Sequence, residues 1–499
     1  MRLQHRRTRS DAERGIGTPV FIVSSDPHAR FAPVVVRPLE ISLAAGAVDD
    51  LQEDLRSAWT PDVAAWADLE ILASWGDAST ASFVAQRLRV PRPDGRHGEV
   101  RVLHPAWHLA MHRASATLRA SIDARLDPGV FGYRAGAVAG RRYADDWRRF
   151  CSAVAEHADR HRFVVLTDVR SFFGSTSWSR VLSSLEHSAT EAQLASLRHV
   201  AAAMSRSGVE HLPTGYADAR MLANVVLSAA DAEVDRPFCR WVDDYRIFVD
   251  DSSQAEVAIA SLDRALQALG LSRSLTKTRT IRAEEAVETQ HRTLASVYHP
   301  ERDSAEIVRS RLRDVLAQAM ADPIGKRREL RFALPRLAEQ GDDVAVPFAL
   351  AGLSTLPWDA PRLVAYLAEF ADTHDLAPAV NATLVTAVER GDAWSIGRLA
   401  PLAARVGLSP ESVRALEGRH DELIGTPSWG LVLRLLAMHG RVSVVRRALT
   451  GPTPDGRAAL AAAAEVGVKV PRWLRRAEPV LASVLADAPA PALPTATLL

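Results

Sequence analysis

In the stretch "RWVDDYRIFVDD", residues 240–251, two carboxylates, Asp243 and Asp244, stand side by side between apolar runs. Trp241 and Val242 precede them, and Tyr245, Ile247 and Val249 follow with the two-residue period of a half-buried strand. The pattern predicts a β-hairpin with the acidic pair in its turn. Turn carboxylates commonly cap local backbone N–H groups. A fixed pair also suits hard divalent cations, because Mg²⁺ takes carboxylate oxygens and keeps other positions open for water and phosphate. A third carboxylate is then required, and "RFVVLTDVRSFFGSTSW", residues 162–178, supplies Asp168. Phe163, Val164, Val165 and Leu166 ahead of it predict a short strand buried on both faces. Two strands ending in carboxylates could hold two Mg²⁺ ions roughly 3.5–4 Å apart, the arrangement of in-line phosphoryl transfer.

Other elements must bring these groups together. Between the acidic segments lies "HLPTGYADARMLANVVLSAADAEVD", residues 211–235, a Pro-Thr-Gly turn followed by a predicted helix with Leu222, Val225, Val226 and Ala229 on one face. Phe173, soon after Asp168, could fill the space beneath a bound sugar and exclude a 2′-hydroxyl. After the hairpin comes "LGLSRSLTKTRT", residues 269–280, whose Lys277 could reach a leaving pyrophosphate.

Taken in order, "TDVRSFF", "LPTGYADARMLAN", "WVDD" and "LTKT" resemble palm motifs A, B, C and D of reverse transcriptases. Upstream, "RVLHPAWH" and "DPGVFGYRAG" are similar to the two finger motifs of that family, so the resemblance covers about residues 95–285. The "VDDYRIF" and "LPTG" forms look most like the abortive-infection (Abi) and unknown-group enzymes of bacterial anti-phage defence. This resemblance implies that Asp168, Asp243 and Asp244 bind two Mg²⁺ ions, or Mn²⁺ in their place, with Val169 beside them in the metal and nucleotide site. It makes Phe173 the steric gate, places Gly215 and Asn224 near the nucleotide, assigns Lys277 as the motif D acid or base, and puts Arg134 on the triphosphate.

The resemblance further implies an α+β right-hand polymerase, with fingers and an antiparallel palm sheet, followed by an all-α helical-repeat domain. Such an enzyme polymerises dNTPs into DNA, can do so without a template, can prime from a protein hydroxyl and assembles as a trimer or hexamer. Tyr366, the only tyrosine of the helical half, is the candidate priming residue. Thr214 stands where templated relatives usually have Gln, and Tyr216 where they have a small residue, both next to the templating base. Trp241 replaces the usual Tyr or Phe of the acidic box. RNA polymerases with the same palm typically carry a second Asp at the position of Phe173, so this chain is expected to use deoxynucleotides.

A chain of 499 residues has room for two or three domains, and its 47% hydrophobic and 24% charged residues are those of a globular protein. No run approaches a membrane span, and the basic opening "MRLQHRRTRSDAERG" lacks the apolar core of a secretory signal. Two distant cysteines, Cys151 and Cys239, suggest a reduced cytoplasm. Formal net charge is +1, so any pull on nucleic acid is local. Arg87, Arg89, Arg92, Arg96 and Arg101 form one basic run, and Arg141, Arg142, Arg148 and Arg149 another.

The expected organisation is an N-terminal region over 1–90, fingers and palm over 91–300, helical repeats over 301–476 and a disordered Ala/Pro-rich tail over 477–499. Leu363, Tyr366, Leu367 and Phe370 form an amphipathic stripe typical of the helical part. His104, His108 and His112 recur every fourth residue and read as partly exposed helix histidines rather than a zinc site. Asp250 and Asp251 read as a second, solvated acidic pair. The leading function is a defence-associated DNA polymerase. Its rivals are a templated reverse transcriptase copying a bound non-coding RNA, and a non-catalytic palm-fold scaffold that captures a phage component.

Overall fold

The computed structural model describes residues 85–103, 105–134, 143–287, 303–450, 462–463 and 467–472. Most of the expected N-terminal region, the tail, His104, Arg141 and Arg142 lie outside these residues. The fold is mixed α/β, mostly helical, with two small sheets. It opens with a hairpin of β1 (Gln86–Pro91) and β2 (His97–Val102), so this element starts ahead of the expected boundary at residue 91. Then come α1 (Pro105–Ala116), α2 (Arg119–Asp123), β3 (Val130–Phe131), α3 (Tyr143–Ala158) and β4 (Phe163–Asp168). Four helices follow: α4 (Phe172–Ser175), α5 (Trp178–Leu185), α6 (Glu191–Arg206) and α7 (Ala217–Asp231). The acidic hairpin is β5 (Phe238–Trp241) and β6 (Asp244–Val249), followed by α8 (Ser252–Ala268), β7 (Arg279–Arg282) and α9 (Ala283–Val287).

The five-stranded sheet runs β3-β5-β6-β4-β7. It is antiparallel except for β3 with β5, which run parallel, a departure from the all-antiparallel expectation. Alternation along the strands divides two cores, because successive side chains point to opposite faces. Val165, Tyr245, Ile247 and Val249 pack with α1 and α5 to α8 on one face. Val164, Cys239 and Phe248 pack with Phe150, Cys151 and Val154 of α3 on the other. Burial on both faces explains why β4 reads as a continuous apolar run. Helix α7 is buried on more of its circumference than a single stripe: Leu222, Val225 and Val226 are covered, as are Leu227 and Ala230, while Ala229 faces water.

The C-terminal half is helical: α10 (Ala305–Ala321), α11 (Arg327–Glu339), α12 (Val346–Thr355), α13 (Ala360–Glu369) and α14 (Ala377–Glu389). It continues with α15 (Ala393–Val406), α16 (Pro410–Arg419), α17 (Pro427–Met438) and α18 (Val442–Thr450). Contacts run from α11 to α13, α15 and α17 in one row, and from α12 to α14 and α16 in a second. One apolar core fills the space between the rows and contains the whole Leu363, Tyr366, Leu367, Phe370 stripe. Buried carboxylates tie neighbouring helices: Arg313 reaches Asp342 at 2.7 Å, and Arg327 and Arg331 both reach Asp359 at 2.8 Å. The two halves meet where Trp394 of α15 packs on Leu88 and Val102 of the first hairpin.

Candidate active site

The acidic hairpin is tighter than the sequence suggested. Its two-residue loop is Val242 and Asp243, while Asp244 is already the first residue of β6 and pairs with Trp241. Val242 has φ +58°, a left-handed conformation that a β-branched side chain adopts only under strain. A two-residue loop needs positive φ to match the strand twist, and this chain places valine there in lieu of glycine.

Strand pairing brings the carboxylates together. Asp168 at the end of β4 is the direct cross-strand partner of Asp244. Beyond the ladder, the Val169 N–H donates to the Asp243 carbonyl at 3.2 Å, which binds the turn to the end of β4. The Lys277 segment joins the same end, since Ser274 N–H donates to the Asp168 carbonyl and Arg170 N–H to the Ser272 carbonyl, each at 2.8 Å. Lys277 Nζ donates to Asp168 Oδ2. These pairings and hydrogen bonds bring Asp168, Asp243, Asp244, Val169 and Lys277 to one end of the sheet.

Asp168, Asp244 and Lys277 border a cavity of about 370 Å³, together with Arg246, Thr276 and Arg279 and with Leu166 and Thr167 on its wall; Asp243 and Val169 are not part of this lining. Burial raises the Asp243 carboxyl to about 6, reinforced by Asp244 and Asp168 and opposed by its own backbone N–H and by Lys277. Burial also raises Asp244, with Asp168 adding to the shift and Arg246 and Lys277 opposing it. Burial alone would lower the Lys277 ammonium, yet the Asp168 hydrogen bond and the three carboxylates outweigh it and hold it above its usual value. Asp168 Oδ1 is buried without a hydrogen-bond partner. An orphaned acceptor beside mutually repelling carboxylates suits a divalent cation. Even so, among the described residues no group of three or more His, Cys, Asp or Glu is gathered closely enough to hold a metal ion as it stands. The Lys277 ammonium supplies the positive charge at Asp168.

The remaining expected site residues do not line this cavity. Phe173 lies half-buried on α4, its ring 5.6 Å from that of Phe172. Gly215, at φ +104°, makes the sharp entry to α7 that only glycine adopts without strain. Arg134 requires correction. Its Nε donates to Asp123 Oδ1 at 2.8 Å, and its two Nη atoms donate to the carbonyls of Asp127, Val130, Asp123 and Leu126. Five donors thus close the 123–134 turn, and none is left for a triphosphate.

Asn224 also differs from expectation. It is fully buried, with Nδ2 donating to the Gly132 carbonyl at 2.9 Å and Oδ1 accepting from Arg240 Nη1 at 2.9 Å. It therefore sits beneath the hairpin rather than against a nucleotide. Tyr366 is 1% exposed, its hydroxyl donating to the Asp342 carbonyl at 2.6 Å and accepting from Ala345 N–H at 3.1 Å. Burial raises its phenol to about 12, so it is a core residue and not an accessible primer. His108 and His112 are buried too, against the expected partial exposure, because α1 packs on α7, where His112 Nδ1 meets Asp218 Oδ2 at 2.9 Å. Asp251 caps α8 by accepting from Gln254 N–H, and Asp250 meets His161 Nδ1 at 3.2 Å.

Sequence reasoning missed the groups beneath the turn. Arg240 is 0% exposed and Asp231 is 4% exposed. Arg240 Nε donates to Asp231 Oδ1 at 2.8 Å, Arg240 Nη2 lies 2.5 Å from Asp231 Oδ2, and the Tyr245 hydroxyl donates to Asp231 Oδ1 at 2.8 Å. The available signal was an arginine inside an apolar strand and an aspartate closing an apolar helix. A scan against models of known families finds no match for this chain, and no curated protein matches its sequence.

Proposed function

We propose that this chain is a reverse transcriptase-like DNA polymerase with a right-hand fingers and palm unit and a helical-repeat domain, of the abortive-infection or unknown-group defence class. The observation that carries the reading is the cross-strand juxtaposition of Asp168 and Asp244, with the Asp243 turn hydrogen-bonded to Val169. In this reading Asp168, Asp243 and Asp244, with Val169, would hold two Mg²⁺ ions, with Mn²⁺ as a substitute. Bound there, the ions would lower the pKa of an attacking hydroxyl and neutralise charge on the departing pyrophosphate. Lys277 stands ready to donate a proton to that pyrophosphate, and Phe173 favours a dNTP over an rNTP. The proposed setting is the cytoplasm, with a homo-oligomer as the working form.

Untemplated synthesis is favoured by residue type alone, since Thr214 and Tyr216 depart from what templated relatives carry at these positions. The buried Tyr216 ring lies edge-on to His108 at 4.7 Å, and its hydroxyl accepts from Leu103 N–H at 2.8 Å. The ring is thus part of the core and faces α1. A scaffold without catalysis is the second reading, favoured by the absence, among the described residues, of a gathered metal-ligand group. The test is Mg²⁺-dependent incorporation of labelled dNTPs by nuclease-treated protein, with no template, and again after restoring RNA. Incorporation without RNA supports the untemplated reading, and strict dependence on RNA supports a templated one. Asp243→Ala is expected to abolish incorporation, by about 10³-fold or more, in a protein that still folds. Full activity in that variant overturns the metal assignment, and no activity in the wild type revives the scaffold.

A further inference from the structure

We propose that Arg240 is the positioning residue of the acidic turn, holding the Val242 carbonyl so that Asp243 stays against the end of β4 and the site keeps its affinity for divalent cations. The inference rests on the proposed reading of this turn as a cation site. Arg240 Nη1 donates to the Val242 carbonyl at 2.5 Å and to Asn224 Oδ1 at 2.9 Å. The opposite side of the guanidinium is anchored on Asp231, through Nε and Nη2. One planar group thus joins the end of α7 to the backbone of the loop.

Stability alone does not call for this arrangement. Burying an ion pair costs several kcal/mol per ion in desolvation, and well-packed apolar side chains of similar volume are often as stable. What an apolar pair cannot supply is a fork of donors with fixed directions, one edge on an anchor and the other on a carbonyl. The loop needs such a tether because Val242 is held at φ +58°. Released, it would relax toward negative φ, and the peptide that carries Asp243 would turn with it. Two hydrogen bonds oppose that movement, Arg240 to the Val242 carbonyl and Val169 N–H to the Asp243 carbonyl. Asn224 and Tyr245 keep the guanidinium from rotating, because Asn224 also holds the Gly132 carbonyl and Tyr245 also holds Asp231.

The test uses the full chain with Asp231→Leu and Arg240→Met combined, which removes both buried charges together and leaves neither unpaired. A second variant, Arg240→Lys, keeps the buried cation beside Asp231 but replaces the fork with one nitrogen. Two readouts are taken: peptide-resolved amide hydrogen exchange of residues 240–245 without metal, and the Mg²⁺ concentration for half-maximal dNTP incorporation. Expected in both variants are exchange at the turn faster by about tenfold or more, with α7 and β4 still protected, and a Mg²⁺ requirement raised by a similar factor. The KM for dNTP is expected to stay unchanged at saturating Mg²⁺. Turn exchange and Mg²⁺ dependence equal to wild type overturn the proposal. So does exchange that rises equally across α7, β4 and the turn, since the network then holds the fold at large. If wild-type protein incorporates no nucleotide, the reading of function fails, and the exchange measurement still decides the tether.

Discussion

Asp243 is held in surroundings that disfavour its charged form. Its carboxyl is raised to about 6, by burial first and then by Asp244 and Asp168. The sign of the pH effect follows from linkage: a folded-state pKa above the unfolded value means the folded chain binds the proton more tightly. Without metal, this group therefore costs nothing below about pH 4, its destabilising effect grows between about pH 4 and 6, and it is constant above that. Asp243→Asn is expected to melt higher than wild type at pH 7.5 in chelator, by about 1–3 kcal/mol of added stability, and to lose most of that advantage near pH 4.5. Thermal melts at the two pH values check this. A Mg²⁺ supplement at pH 7.5 should narrow the gap by stabilising the wild type alone.

At the scale of elements, the acidic hairpin is held in place by its neighbours. Gly132, at φ +74° just past β3, lies against the Trp241 ring, where an added Cβ would sit 3.0 Å from two ring carbons. The same residue offers its carbonyl to Asn224. Gly132→Ala is expected to cost about 1–3 kcal/mol, through backbone strain and displacement of the indole. A lowered melting temperature and an altered tryptophan near-UV signal would report it, and unchanged values for both would show that the β3 end tolerates a side chain. The hairpin and β4 were legible in the sequence because alternation and a continuous apolar run are local patterns. The division of the turn between Val242 and Asp243 was not, since the sequence marks acidic residues and does not show which of them the ladder claims.

For the molecule as a whole, the meeting of the two halves is a small apolar cluster. Trp394 packs on Leu88 and Val102, and its Nε1 donates to the Pro357 carbonyl at 2.6 Å. Trp394→Ala should remove about 3–5 kcal/mol of local packing. The expected result is faster tryptic cleavage after Arg96, which lies in the loop of the first hairpin, with helical content unchanged. Cleavage at the wild-type rate would mean that the hairpin is held independently of α15. Among the described residues no helix is long and apolar enough to cross a membrane.

The amino-acid sequence by itself determined the strands that carry Asp168 and Asp244, the turn at Asp243, and the change from a mixed α/β half to a helical one. These features are written in neighbouring residues, through periodicity and turn chemistry. Only the tertiary structure decided which polar groups remain available. Arg134 closes its own turn, Asn224 and Arg240 support the hairpin from below, Tyr366 is sealed in a core, and Tyr216 reaches Leu103 across 113 positions. Hydrogen-bonding capacity is used up by whichever partners the fold brings near, and a residue's type and local spacing do not encode those partners.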